Sequence, residues 1–392
     1  MSLLKHSFLL LIAICYTVIA TAQIKFQLPL SGVVGKDYWI VNYVDHDLTP
    51  NIKNYACGNK TYDGHEGTDF VIRSFKTMDS GVYVHAVADG IVFKLQDGVF
   101  DRNKAVNNGG LGNYIAINHS NTLYTYSGHL MKYSLLVKVG DTVKAGQPIG
   151  KVASSGRSTD PHLHLEVYDV NSNLVDPFVG ACQTTTASMW QTQPVYDTSL
   201  IVIDNGFAPY SNNLDTLRER YDVRDTFYTQ NDTAVSFWIQ LQGVRKGDVQ
   251  RVDWYTPKGQ YWFSFSHTTT QDYWHYYFWT YINMPHDSLA GQWEARYFIN
   301  NQLIIQRDFY VNATTSVKDA FRGPLNMAFP NPCSTYFQLS SSATEDIVYL
   351  YDYQGQLVKA YQPGQKKHDV SGLPRGKYIA RYRQIFYQVL KQ

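Results

Sequence analysis

Short runs in which apolar and polar residues alternate dominate this chain. In Pro161-His162-Leu163-His164-Leu165-Glu166-Val167 and in Val235-Ser236-Phe237-Trp238-Ile239-Gln240-Leu241 every second residue is apolar. Side chains two apart on a strand share a face, so each run predicts a strand with one face buried. Trp293-Glu294-Ala295-Arg296-Tyr297 and Asp308-Phe309-Tyr310-Val311 predict late strands of an antiparallel sandwich. Glycine punctuates the first third, as in Val84-His85-Ala86-Val87-Ala88-Asp89-Gly90. Few stretches sustain a helical period, so the expected protein is mostly β. The 31 tyrosines agree, because aromatic and β-branched residues favour strands.

The pattern divides into blocks. The first runs over residues 26–182 and ends at a low-complexity seam, Gln183-Thr184-Thr185-Thr186-Ala187-Ser188. The second covers 195–312, and a linker around 316–324 leads to a third over 327–392. A length of 392 residues accommodates two or three domains. Ahead of them, Lys5 and His6 precede an apolar run, and Ala20-Thr21-Ala22 supplies small residues for cleavage. Residues 1–22 therefore have the form of a signal peptide, too short for a comfortable membrane span. A lipoprotein reading of Cys15 fails because Ile14 stands where a small residue is needed. No other segment is long and apolar enough to span, so the mature protein is expected to lack a transmembrane segment.

Charge and cysteine narrow the class. Lys plus Arg number 34 and Asp plus Glu 33, which provides no field for nucleic acid or an anionic membrane. After cleavage Cys57, Cys182 and Cys333 remain, in an exported chain that meets oxidising conditions. Cys57 and Cys182 lie near the two ends of the first block and are candidates to pair; two separate buried thiols are the alternative. Trp238, Trp254, Trp262, Trp274, Trp279 and Trp293 crowd the second block. A carbohydrate or partner face is one reading, and cross-strand packing the favoured one.

Two motifs carry the candidate chemistry. In the His162 strand, His162, His164 and Glu166 share one face while Leu163, Leu165 and Val167 point into a core. Two imidazoles so placed can approach one ion. The other motif is Gly64-His65-Glu66-Gly67-Thr68-Asp69-Phe70. If it is extended, His65 and Asp69 share a face, with Gly64 and Gly67 allowing a tight bend. Together the motifs offer three or four ligands of types that zinc accepts. A catalytic zinc uses three and keeps a position for water, which leaves a histidine over. Tyr126-Ser127-Gly128-His129-Leu130 adds another histidine at the end of a strand-like run.

These motifs resemble the LytM/lysostaphin-type zinc endopeptidases: His65/Asp69 meet a His-x-x-x-Asp pattern, His129 precedes Leu130, and His162/His164 form His-x-His. Gly112-Asn113-Tyr114, Val139-Gly140-Asp141-Thr142-Val143, Gly146-Gln147-Pro148-Ile149-Gly150 and Ser155-Gly156-Arg157-Ser158-Thr159 also fit. Two positions depart from the pattern: Asp160 stands where glycine is usual, and Ser127-Gly128 where alanine is usual before the histidine. The resemblance implies an antiparallel β-sheet catalytic domain followed by two small β-sandwich domains. It implies Zn2+ on His65, Asp69 and His164, with His162 as general base and acid and His129 stabilising the oxyanion. Glu166 either orients a ligand or forms a surface ion pair. The implied substrates are peptidoglycan cross-links or glycine-rich peptides. The loop over 96–110 is expected to wall the groove.

The third block carries a second resemblance. Phe329-Pro330-Asn331-Pro332, Val348-Tyr349-Leu350-Tyr351-Asp352 with Gly355, and Asp369-Val370-Ser371-Gly372-Leu373-Pro374 with Gly376-Lys377-Tyr378 are similar to the C-terminal sorting domain of the type IX secretion system. That implies the secretion machinery as partner and a secreted, extracellular or surface-attached product. The competing classes are a non-catalytic peptidoglycan- or glycan-binding module and a surface adhesin that works through its aromatic middle block.

Overall fold

The computed structural model describes residues 24–392 except 120–122, 184–186, 221, 230, 314–325, 340–345, 353–355 and 384. The expected signal peptide, the linker around 316–324 and the Gly355 turn lie outside the described residues. The chain forms two compact units: one of residues 1–225, 233–283 and 294–309, the other of 226–232, 284–293 and 310–392.

In the first unit, strands β1 (Tyr38–Asn42), β2 (Thr68–Ile72), β3 (Tyr83–His85), β4 (Gly90–Gln96), β5 (Tyr114–Asn118), β6 (Leu123–Gly128), β7 (Thr142–Val143), β8 (Pro148–Lys151) and β9 (His162–Asp169) build the amino-terminal part. Seven of them form one sheet in the order β1-β2-β9-β6-β5-β4-β7, while β3 and β8 pair separately. The pairings are antiparallel, so the fold is the expected antiparallel β one. Leu163, Leu165 and Val167 enter the core with Phe70, Ile72, Ile115 and Ile117, as the alternation predicts. The five-residue α1 (Phe75–Asp79) is capped by the Ser74 hydroxyl. Cys57 and Cys182 are bonded, with Cα atoms 5.1 Å apart, which decides for the pair over separate thiols.

The same unit continues with β10 (Ile201–Ala208), α2 (Leu214–Glu219), β12 (Ala234–Gln242), β13 (Val249–Tyr255), β14 (Tyr261–Thr268) and β15 (Tyr276–Asn283), and with most of β16 (Gly291–Ile299) and β17 (Gln302–Asn312). β10, β12 and β15 form one sheet, and β14, β13, β16 and β17 neighbour one another in a second. Phe207 of the first sheet meets Trp254 and Phe309 of the second at ring separations of 6.3 and 4.9 Å. Trp238, Trp254, Trp274 and Trp293 are buried, which makes them packing residues; Trp262 stays exposed on β14. Trp274 and Ile203 cover Trp39, Val41 and Val71 on β1 and β2. An apolar seam thus joins this part to the seven-stranded sheet.

In the second unit, β11 (Thr226–Tyr228) runs parallel to the end of β17. Its carboxy-terminal part contains β18 (Asn326–Met327), β19 (Tyr336–Phe337), β20 (Val348–Asp352), β21 (Leu357–Tyr361), β22 (His368–Asp369), β23 (Gly376–Tyr382) and β24 (Ile385–Lys391). A five-stranded sheet in the order β18-β24-β23-β20-β21 packs a core that includes Phe337, Leu350, Tyr387, Val389 and the free Cys333.

Candidate metal centre

Strand register assembles the site. β2 and β9 are antiparallel with Asp69 opposite His164 and Val71 opposite His162. β6 pairs with the other edge of β9 and ends with Gly128 opposite His164, which delivers His129. Three elements distant in sequence thus converge because β9 lies between β2 and β6.

His65 arrives differently from the extended-strand expectation. It precedes β2 in a loop whose Gly64 has a φ of 70°. Its ring is aimed by a backbone carbonyl: Nδ1 donates to Tyr43 O at 2.7 Å. Gly67 serves close approach and not a left-handed turn, since a Cβ there would lie 2.7 Å from the His164 ring. Asn42, at the end of β1, donates from Nδ2 to Asp69 Oδ2 at 2.8 Å. The edge strand β1 is thereby built into the sheet beside the cluster.

A carbonyl can only accept, so these contacts set the tautomers. With Nδ1–H given to Tyr43, neutral His65 keeps a lone pair on Nε2. His164 Nε2 lies 3.1 Å from Glu166 Oε1, so in the neutral ring the proton sits on Nε2 and Nδ1 is the acceptor. His65 Nε2 and His164 Nδ1 then face each other at 3.2 Å, and lie 3.2 and 2.8 Å from Asp69 Oδ1. In these neutral forms, which a bound ion requires, three buried acceptor atoms converge, all within 4.8 Å of one another; with the extra proton that Asp69 and Glu166 favour, His164 Nδ1 donates to Asp69 Oδ1 instead. This is the donor set and the spacing that fit a zinc ion. Glu166 is buried against His164, so it is no surface ion pair, and it acts as the orienting carboxylate.

The electrostatics favour positive charge. Burial pushes the Asp69 carboxyl up, but the charges of His65 and His162 and hydrogen bonds from His164 and His65 outweigh it and hold it well below the usual carboxylate range. Burial also works against the His164 imidazolium, yet the Asp69 and Glu166 hydrogen bonds raise its pKa to about 10. His129 shows the opposite balance. Burial, with His162 and His164 close by, pulls it far below the ordinary imidazole value.

His162 and His129 stand beside the acceptor triad, with ring centroids 4.7 Å apart. His162 Nδ1 is 2.7 Å from Asp160 O, and Nε2 is 3.5 Å from Asp69 Oδ1. His129 Nδ1 donates to Ser155 O at 2.7 Å. Each ring therefore presents Nε2 as its free acceptor. Gly128 has a packing reason: a Cβ there would come 2.9 Å from Leu111 Cδ2. A groove of about 460 Å³ is lined by Glu166, Tyr126, Tyr168 and Leu111, and by Gln96, Gly109 and Gly110 of the loop expected to wall it. All five expected site residues lie together. Nothing in the sequence signals the carbonyls Tyr43 O, Ser155 O and Asp160 O, because a backbone carbonyl has no sequence signature, nor Asn42, whose amide reaches Asp69 only through the β1–β2 pairing.

Residues 63–177 match peptidase family M23, and residues 327–391 match the secretion system C-terminal sorting domain. A LytM/lysostaphin-type peptidase domain and a type IX sorting domain are thus both present in this chain. Among curated relatives, a peptidoglycan DD-endopeptidase, ShyC of Vibrio cholerae, is 40% identical over 102 residues, 26% of this chain and 19% of that protein. The DD-carboxypeptidase/endopeptidase Mpg of Neisseria meningitidis is 35% identical over 124 residues, 32% of this chain and 24% of its own. The chain therefore spans about a fifth to a quarter of these relatives. The catalytic domain of the antimicrobial peptidase lysostaphin from Staphylococcus simulans is 30% identical, covering 35% of this chain and 85% of that one, with a TM-score of 0.24. No helix among the described residues is long and apolar enough to cross a membrane.

Proposed function

We propose that this chain is a secreted zinc metalloendopeptidase that hydrolyses peptide bonds in peptidoglycan cross-links or glycine-rich peptides. The observation that carries the reading is the convergence of His65 Nε2, Asp69 Oδ1 and His164 Nδ1 beside two further histidines. In this reading those three residues hold the ion. Zinc bound there supplies acidity to the attacking water and polarises the scissile carbonyl.

The chain's own groups do the proton work. His162, with Nδ1–H tied to Asp160 O, presents Nε2 to take the proton of the water and return it to the leaving amine. His129 starts neutral with Nε2 as an acceptor, so it serves the oxyanion only in the form that has taken a proton from bulk water at Nε2, which its lowered pKa opposes. Glu166 and Asn42 hold His164 and Asp69 in orientation. The named activity of the Vibrio relative, a peptidoglycan DD-endopeptidase, supports a peptidoglycan substrate, and that of the Neisseria relative supports endopeptidase chemistry. The sorting domain supports export through the type IX machinery to the medium or the cell surface.

The test incubates purified protein, with and without a chelator, on peptidoglycan and on a glycine-rich protein, and identifies the cut bonds by mass spectrometry. His162→Ala is expected to keep zinc and lose about 10²–10⁴-fold in hydrolysis, the usual worth of general acid–base catalysis. Asp69→Ala is expected to lose the metal. Full activity in His162→Ala would remove the mechanism.

A further inference from the structure

Asp160 is one of the two positions where this chain departs from the pattern it otherwise follows, and the residue is buried, at 8% exposure. A buried carboxylate needs a partner. It finds one in α2, far along the sequence: Arg218 Nε donates to Asp160 Oδ1 at 3.0 Å and Nη2 lies 3.0 Å from Oδ2. This two-pronged fork fixes the plane of the carboxylate as well as its position. Thr159 Oγ1 donates to Oδ2 at 2.9 Å and completes its coordination.

Arg218 is itself held. Its Nη1 donates to the Lys104 carbonyl at 2.9 Å. The next residue, Glu219, is 2% exposed and lies between two cations, with Lys104 Nζ at 2.6 Å and Arg102 Nε at 3.0 Å. One short helix thus presents a cation and an anion side by side, and each meets its opposite on the peptidase part. Behind them Gln240 Nε2 donates to His275 Nε2 at 2.7 Å and to Tyr277 Oη at 3.1 Å, and Asp160 is among the charges acting on both rings.

The other end of Asp160 touches the chemistry. Its carbonyl accepts the Nδ1 proton of His162 at 2.7 Å. A residue whose side chain is clamped cannot easily rotate its carbonyl. We propose that Arg218 is a positioning residue of the peptidase: through the Asp160 carboxylate it holds the carbonyl that orients His162, so the second block is part of the catalytic apparatus. The proposal rests on the peptidase reading for its effect on rate, but the positioning itself is independent of it. It also accounts for Asp160: a glycine there would leave Arg218 without its carboxylate.

The experiment uses the full-length zinc-loaded protein with Arg218→Ala, Arg218→Lys, Asp160→Gly and the Asp160→Gly/Arg218→Ala pair. For Arg218→Ala the expectation is a fall in kcat of at least about 10-fold with KM within about 2-fold, since small misplacements of catalytic groups cost up to about 100-fold. Bound zinc should stay equal to wild type. Arg218→Lys, which keeps the charge without the fork, should recover part of the loss. In the Asp160→Gly background the further change to Ala should cost less than about 2-fold, because the partner is already gone. Histidine-selective ¹⁵N spectra supply a readout without turnover: the His162 Nδ1 proton, slowly exchanging in wild type, should exchange faster in Arg218→Ala and return towards wild type in Arg218→Lys. An equal loss of kcat in both backgrounds, a change confined to KM, or an unchanged Nδ1 signal would overturn the proposal. A wild type that cuts no peptide would overturn the peptidase reading alone, and the ¹⁵N signal would still decide the wiring. If Arg218→Ala alone unfolds, Arg218→Lys and the double variant decide between the same outcomes.

Discussion

Lys60 is 2% exposed and lies beside Trp274, in the apolar seam between the seven-stranded sheet and the part that carries β10 and β15. Its ammonium donates to Asp197 O at 2.8 Å and lies 5.4 Å from the Trp274 ring and 5.9 Å from that of Tyr43. Burial outweighs the attraction of Asp197, and Arg245 adds repulsion, so its pKa falls from 10.5 to about 7. The unfolded chain keeps the proton up to pH 10.5, whereas the folded chain releases it from about pH 7. Between these values the unfolded state binds the extra proton, so raising the pH stabilises the fold. Below about pH 7 the full cost applies, about 5 kcal/mol at about 1.4 kcal/mol per factor of ten. Lys60→Met removes that cost and forfeits a hydrogen bond worth about 1–2 kcal/mol. The variant should therefore be more stable by about 3 kcal/mol at about pH 6, with the gain vanishing near about pH 10. Urea unfolding of the zinc-loaded protein at about pH 6, 8 and 10 measures it. A variant less stable at the lowest pH, or a difference that does not change with pH, would show that Lys60 is charged and well paired in the fold.

Two more outcomes are expected. Asn42→Ala removes the donor to Asp69 Oδ2 and should weaken zinc binding by about 10–100-fold, read by competition with a metal chelator; wild-type affinity would leave Asp69 oriented by His164 and His65 alone. Deletion of residues 327–392, which include the matched sorting domain, should trap the protein in the cell envelope, as fractionation would show; unchanged export would refute the sorting role.

The strands were readable where one face is buried and the other polar. The β9 alternation put His162, His164 and Glu166 on one face and Leu163, Leu165 and Val167 in the core. The site was readable in its side chains, because zinc ligands belong to few residue types. Spacing alone makes the approach of His65 conditional on an extended segment; the bend that Gly64 permits is real, but the Tyr43 carbonyl that aims the ring is invisible in spacing. Asp160 could be seen as a departure, but its partner Arg218 lies 58 residues away.

By itself, then, the sequence determined the β class and offered the five residues of the candidate centre, since periodicity and residue chemistry are local properties. Tertiary structure decided which atoms do the work: Nε2 of His65, Nδ1 of His164, the carbonyls that set each tautomer, and the helix that reaches Asp160. Hydrogen-bond direction depends on what lies opposite a group in space, and that is settled only when distant strands and the helix pack together.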